Sequence, residues 1–197
     1  MQPDRGLDRR LGGPGGLVTP GEAGSTGYLA SFEPAMRLAL EEARAAASPA
    51  GGLAVATAGG QPGDLAPAAD VPVGAVILDP SGAVIARGRN RREADGDPTA
   101  HAEIVAIRAA AKAAGQWRLD GCSVVVTLEP CTMCAGAICA ARLSRLVFAA
   151  PDPRAGAVGS LWDVVRDPRV APWPEVIGGV LAADSLDIIR TFFSERR

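Results

Sequence analysis

Residues 123–134 read Ser-Val-Val-Val-Thr-Leu-Glu-Pro-Cys-Thr-Met-Cys, and this stretch decides the fold. Ser123 to Leu128 is a β-branched apolar run long enough only for a strand, and its lack of polar alternation predicts burial on both faces. Pro130 has no amide hydrogen and a fixed φ, which suits the first turn of a helix, and the predicted helix runs to about Ala141. Arg145 to Ala149 supplies the next strand, so the stretch is the core of a strand-helix-strand unit.

Upstream, Val73 to Leu78 and Ala83 to Arg89 are strands joined by the turn Asp79-Pro80-Ser81-Gly82, which together predict a hairpin. A polar loop from Asn90 to Thr99 leads into a helix from about Ala100 to Ala114 that stops at Gly115. Downstream come a loop rich in Pro and Gly, a short helix near Leu161 to Val165, an edge strand at Glu175 to Ile177 and a final helix from about Ala183 to Glu195. This order predicts an α/β fold with a largely parallel sheet, covered on both faces and carrying an antiparallel hairpin at one end.

The N-terminal part is different in kind. Residues 1–71 hold 13 of the 24 Gly and 7 of the 16 Pro. Residues 1–30 show neither hydrophobic period and read as a disordered low-complexity tail, and residues 48–70 read as a flexible Ala/Gly/Pro-rich insertion. Between them Pro34 to Ala47 is a helix candidate with Met36, Ala39, Leu40 and Ala43 on its buried face. One domain over 31–197 is therefore expected. There is no internal repeat, no apolar run of membrane-spanning length and no apolar leader in MQPDRGLDRRLGGPGG, which points to a soluble, cytoplasmic protein.

The net charge of −2 divides along the same line: residues 1–71 carry 5 basic and 8 acidic groups, and residues 72–197 carry 15 and 14. Arg clusters (Arg87, Arg89, Arg91, Arg92; Arg142, Arg145; Arg196, Arg197) could contact phosphates, although ordinary solvated Arg is the simpler reading.

The chemistry sits in His101-Ala102-Glu103 and Pro130-Cys131-Thr132-Met133-Cys134. His101 is the single His among 197 residues, so no two-His metal site can form within one chain. Two Cys three positions apart on a helix lie about 5–6 Å from one another, within reach of one ion. The helix start favours thiolates there. His101 and Glu103 converge only because they lie near a helix end, and both helices begin at the sheet edge where ligands bind in open α/β folds. One imidazole and two thiolates make a three-ligand zinc site with an open position for water, and the charges of ion and ligands cancel. Such a zinc lowers the pKa of its water and supplies a hydroxide nucleophile, with Glu103 as proton carrier. Alternatively the Cys pair belongs to a structural site with Cys122 as fourth ligand, although Cys122 and Cys139 read more simply as core thiols.

The pattern H-x-E…P-C-x-x-C is the signature of zinc nucleobase deaminases. More closely, the chain resembles the bacterial tRNA adenosine deaminases (TadA-type) of the cytidine/deoxycytidylate deaminase superfamily. The stretches that carry the likeness are Val71–Val76, Gly88-Arg89-Asn90, Asp97–Glu103, Val126–Ile138, Gly156–Leu161 and the end Phe192-Phe193 with Arg196-Arg197. The resemblance implies a three-layer α/β/α cytidine-deaminase-like fold with a central five-stranded mixed sheet, one zinc per subunit, a homodimer, and deamination of adenosine to inosine at the wobble position of a tRNA anticodon. In that reaction the zinc-bound hydroxide adds to C6 while Glu103 shuttles protons. It further implies that Asn90 contacts base or ribose, that the backbone at Ala102 faces the base, and that Asp152 and Arg154 meet the flanking nucleotides. Asn90 capping a turn and Asp152 in ordinary turn chemistry are the plainer alternatives. A zinc deaminase of a free base or nucleoside, guanine or cytosine, would share the same zinc and Glu.

Overall fold

The computed structural model describes residues 25–48, 69–169 and 171–196. The run that opens the sequence analysis forms β3 (Ser123–Leu128), the middle strand of a five-stranded sheet. Val124 and Val126 fall in one core cluster and Val125 in another, so the two-residue period of the strand divides the run between two apolar layers. The sequence lacks polar alternation there because neither face meets water.

The sheet order is β2-β1-β3-β4-β5. β1 (Gly74–Leu78) pairs antiparallel with both β2 (Val84–Arg89) and β3. β4 (Arg145–Ala150) is parallel to β3, and β5 (Glu175–Gly178) is parallel to β4. The sheet is thus mixed, with more antiparallel pairing than a largely parallel sheet would have, because the hairpin joins the central strand through β1. On one face, Met36, Ala39 and Leu40 of α2 (Glu33–Ala46) pack with Val76, Val125, Val147 and Ile177, and Ile188 of α6 (Ala182–Ser194) joins them. On the other, Ala102, Ala106 and Ala110 of α4 (Ala102–Ala114) and Ala135 and Ile138 of α5 (Thr132–Ala140) pack with Ala75, Ile77, Val124, Leu146 and Phe148. The result is the expected three-layer α/β/α arrangement.

The helices lie close to the sheet where Gly leaves room. A Cβ on Gly88 would stand 2.4 Å from the Ala102 carbonyl oxygen and 2.6 Å from the Ala106 nitrogen. Gly88 therefore lets α4, with His101 at its head, rest directly on β2.

Three local expectations change. Residues 25–30, expected in the tail, form a helical turn and a half, α1 (Ser25–Ala30), where Tyr28 donates a 2.8 Å hydrogen bond to Glu175 and meets Phe32 edge to face. The loop from Asn90 to Thr99 contains a short helix, α3 (Arg92–Asp95). It is held by Asp70, whose buried carboxylate accepts from the Glu93 and Ala94 amides at 2.9 and 3.2 Å, so the end of the expected insertion is ordered. No helix forms at Leu161 to Val165: a bridge between Val158 and Asp163 holds a tight loop, and Leu161 and Trp162 are exposed. The remainder of the expected tail and insertion, 1–24 and 49–68, lies outside the described residues. Among the described residues no helix is long and apolar enough to cross a membrane.

Candidate active site

Strand register brings the site together. Gly74 lies opposite Arg89, Ala75 opposite Val126, and Leu128 opposite Ala150. The end of β2, the start of β1 and the ends of β3 and β4 therefore share one sheet edge, and the segments 90–101, 129–131 and 151–160 meet there.

His101 and Cys131 both occupy the residue just before a helix rather than its first turn. Each has extended backbone (ψ 153° and 174°), and each carbonyl accepts the first helical bond, from Val105 at 2.9 Å and Ala135 at 2.8 Å. That position usually carries a Ser, Thr or Asp side chain turned back to cap the helix; here the side chains turn toward each other instead. The turn ahead of His101 is fixed by Asp97, whose carboxylate accepts from the Thr99 amide and hydroxyl, both at 2.7 Å. The His101 Nδ1 lies 3.7 Å from Cys131 Sγ and 3.6 Å from Cys134 Sγ. All three ligand atoms fall within 4.8 Å of one another, and among the described residues this is the group that could hold a metal ion. Cys122 sits at the far end of β3 and, with Cys139, belongs to the apolar core, so the four-ligand alternative finds no support in the geometry.

The electrostatics suit a cation. The hydrogen bond from Cys134, with a further one from His101, holds the Cys131 thiol down to about 3, which favours the thiolate. The Cys134 thiol is pushed up, chiefly by that same bond and then by burial. Glu103 is 4% exposed, and burial raises its carboxyl above the usual range. A carboxyl in that position holds a proton readily, as a shuttle requires.

A pocket of about 150 Å³ opens beside these groups, with Val71, Val73, Leu128 and Ala155 as apolar walls and Asn90, Arg92, Ala102, Glu129 and Asp152 around them. Of the residues singled out in the sequence, Asn90, Ala102, Asp152, His101, Glu103 and Cys131 line it, and Cys134 lies buried behind. Arg154 does not line it; its amide donates to the Asp152 carboxylate at 2.9 Å, an Asx turn. The Asn90 amide nitrogen donates to the Val71 carbonyl at 3.2 Å, and its side-chain oxygen is buried and has no partner among the described residues. Of the Arg clusters, Arg87 and Arg89 reach Glu41 and Glu42, Arg91 pairs with Asp95, and Arg145 with Glu175. Arg92 and Arg196 instead border a groove that continues from the pocket past Asn90 to Phe192. Phe192 is buried and Phe193 is 42% exposed, in line with at least one of the pair serving helix packing.

Glu129 is the residue the sequence reading passed over. It is 3% exposed, and its carboxylate accepts from the amides of Asp152, Val158 and Ser160 at 3.0, 2.9 and 3.0 Å, and from the Ser160 hydroxyl. Burial alone would raise its carboxyl, but these donors outweigh that and hold it low, as a carboxylate. A charged residue directly after a fully buried strand was the available signal.

Residues 61–150 match the family model of the cytidine and deoxycytidylate deaminase zinc-binding region. With the donor set above, this places the chain in the zinc deaminase class, and zinc is its cofactor. The tRNA-specific adenosine deaminase of Agrobacterium fabrum is 50% identical over 129 residues, covering 65% of this chain and 84% of that protein. A solved tRNA:A34 deaminase, studied for A-to-I editing at the wobble position of transfer RNA, matches with a TM-score of 0.67 and 42% identity over 79% of this chain and 98% of its own. The chain belongs to the tRNA-specific adenosine deaminase family. It is also 47% identical over 133 residues to the tRNA(Ile)-lysidine synthase of Deinococcus deserti, covering 66% of this chain but only 24% of that longer protein.

Proposed function

We propose that the protein converts adenosine to inosine at the wobble position of a tRNA anticodon, working as a homodimer, with His101, Cys131 and Cys134 as the zinc ligands. The observation that carries this reading is the pocket lined by buried Glu103, His101, Cys131 and Asn90, with Cys134 close behind its partner ligands and the Asn90 oxygen without a partner among the described residues. A zinc ion held by those residues would supply a water of lowered pKa as the nucleophile. Glu103 receives a proton from the water that adds to C6 and delivers it to N1 of the adenine. It then carries the water's second proton to the departing amine, so adenosine and water become inosine and ammonia. The Asn90 side-chain oxygen accepts a hydrogen bond from base or ribose, and Val71, Val73 and Leu128 exclude bulk water from the ring.

An RNA substrate suits the mouth better than a free base. Among the described residues none from α6 closes the pocket, and Arg92 stands at its rim. The adjoining groove carries Arg92 and Arg196 together with Asp70 and Glu93; the Asp70 carboxylate is taken up by the Glu93 and Ala94 amides, and the two Arg offer charge to the phosphates of nucleotides beside a flipped-out base. The test is incubation of the zinc-loaded protein with an anticodon stem-loop carrying adenosine at the wobble position. Inosine in the loop supports the reading; turnover of guanine or cytosine without the stem-loop makes it a free-base enzyme instead.

A further inference from the structure

We infer that Glu129 is a positioning residue: its carboxylate fixes the segment 152–160 against the pocket mouth and so sets how tightly the polymeric substrate is held, without entering the proton transfers. The inference rests on the reading of the protein as a stem-loop deaminase. Glu129 follows β3 directly and stands two residues before Cys131. One carboxylate oxygen accepts from the Asp152 amide and the Ser160 hydroxyl, and the other from the Val158 and Ser160 amides. One oxygen thus joins the two ends of the segment and the other holds its far end, which a neutral or shorter side chain could not do.

The segment is anchored on the other side of Glu129 as well. The Ala157 amide donates to the Pro130 carbonyl at 2.8 Å, and Gly156 forms a bridge with Cys131. Gly156 lies so close over the carboxylate that a Cβ there would stand 2.5 Å from Glu129 Cδ. The segment is therefore moulded onto residues 129–131, and Asp152 and Ala155 reach the pocket wall from it. Three backbone donors converge on Glu129, so its loss strands buried amides and lets the segment lift. Glu103 and His101 at the start of α4, Cys134 on α5 and Asn90 after β2 are held by other elements and keep their places.

The test is Glu129→Gln in the full chain. Gln presents an NH₂ group toward at least one set of donors and cannot satisfy them all. The amides of Asp152, Val158 and Ser160 are expected to exchange with solvent at least tenfold faster than in the wild type, with zinc content unchanged. In kinetics with the anticodon stem-loop, KM rises about tenfold or more while kcat changes less than about threefold. Gly156→Ala, which presses on the same carboxylate from the loop side, gives the same pattern and serves if Glu129→Gln fails to fold. Unchanged exchange and KM in the folded variants would overturn the inference, as would a fall in kcat that tracks loss of zinc. If the wild type leaves the stem-loop untouched, the function proposed above fails, and the exchange measurement still decides whether Glu129 holds the segment.

Discussion

Glu103 and Asn90 show how position converts an ordinary side chain into a chemical one. Glu103 is the second residue of a helix preceded by His101, the proposed metal ligand, and burial holds its proton more firmly than water would. Glu103→Ala is expected to keep zinc and the fold and to lose deamination by roughly 10²–10⁴-fold, read as inosine formed per bound zinc. Substantial activity in that variant would remove Glu103 from the proton path. Cys131→Ala, by contrast, takes away a proposed ligand and the thiol held lowest in the group, so metal analysis of the purified variant should find the site depleted. Asn90→Ala removes the buried oxygen that has no partner among the described residues. The loss of one substrate hydrogen bond, about 1 kcal/mol, should appear as several-fold weaker stem-loop binding.

At the scale of elements, the site depends on how closely two helices approach one sheet edge. Gly88→Ala would drive α4 away from β2, because the new Cβ meets backbone atoms of Ala102 and Ala106 rather than a movable side chain. About 1–3 kcal/mol of stability should be lost, seen as a lower Tm, together with weaker zinc retention as His101 moves with its helix. The elements legible in the sequence were those with a local cause. Ser123–Leu128 is an unbroken β-branched run, Gly115 ends α4 in a left-handed conformation (φ 66°), and Pro130 precedes α5. His101, Glu103 and the Cys pair were legible because a helix start fixes their spacing. What escaped has distant causes: α3 depends on the Asp70 carboxylate 23 and 24 residues away, and the loop at Leu161 depends on Glu129, 29 to 31 residues before its partners Val158 and Ser160. At the short helix expected near Leu161 to Val165, Leu161 faces solvent while Val165 is buried. Spacing along the chain carries no information about such bonds.

For the whole molecule, a net charge of −2 gives no general attraction to RNA; contact must be local. If Arg92 and Arg196 each neutralise one phosphate, log K for the stem-loop should fall against log salt with a slope of about −1.4, at about −0.7 per phosphate for single strands. A slope several times steeper would mean that basic groups elsewhere take part. The central claim is that one pocket combines a three-ligand zinc site, a buried proton carrier and an open, Arg-bordered mouth to act on adenosine within a tRNA anticodon. It is tested most directly by giving the zinc-loaded protein the wobble-adenosine stem-loop in parallel with free adenosine, guanine and cytosine, and measuring inosine and ammonia. The account predicts inosine in the stem-loop and little or no turnover of the free compounds. Ammonia from guanine or cytosine with the stem-loop left intact would contradict it.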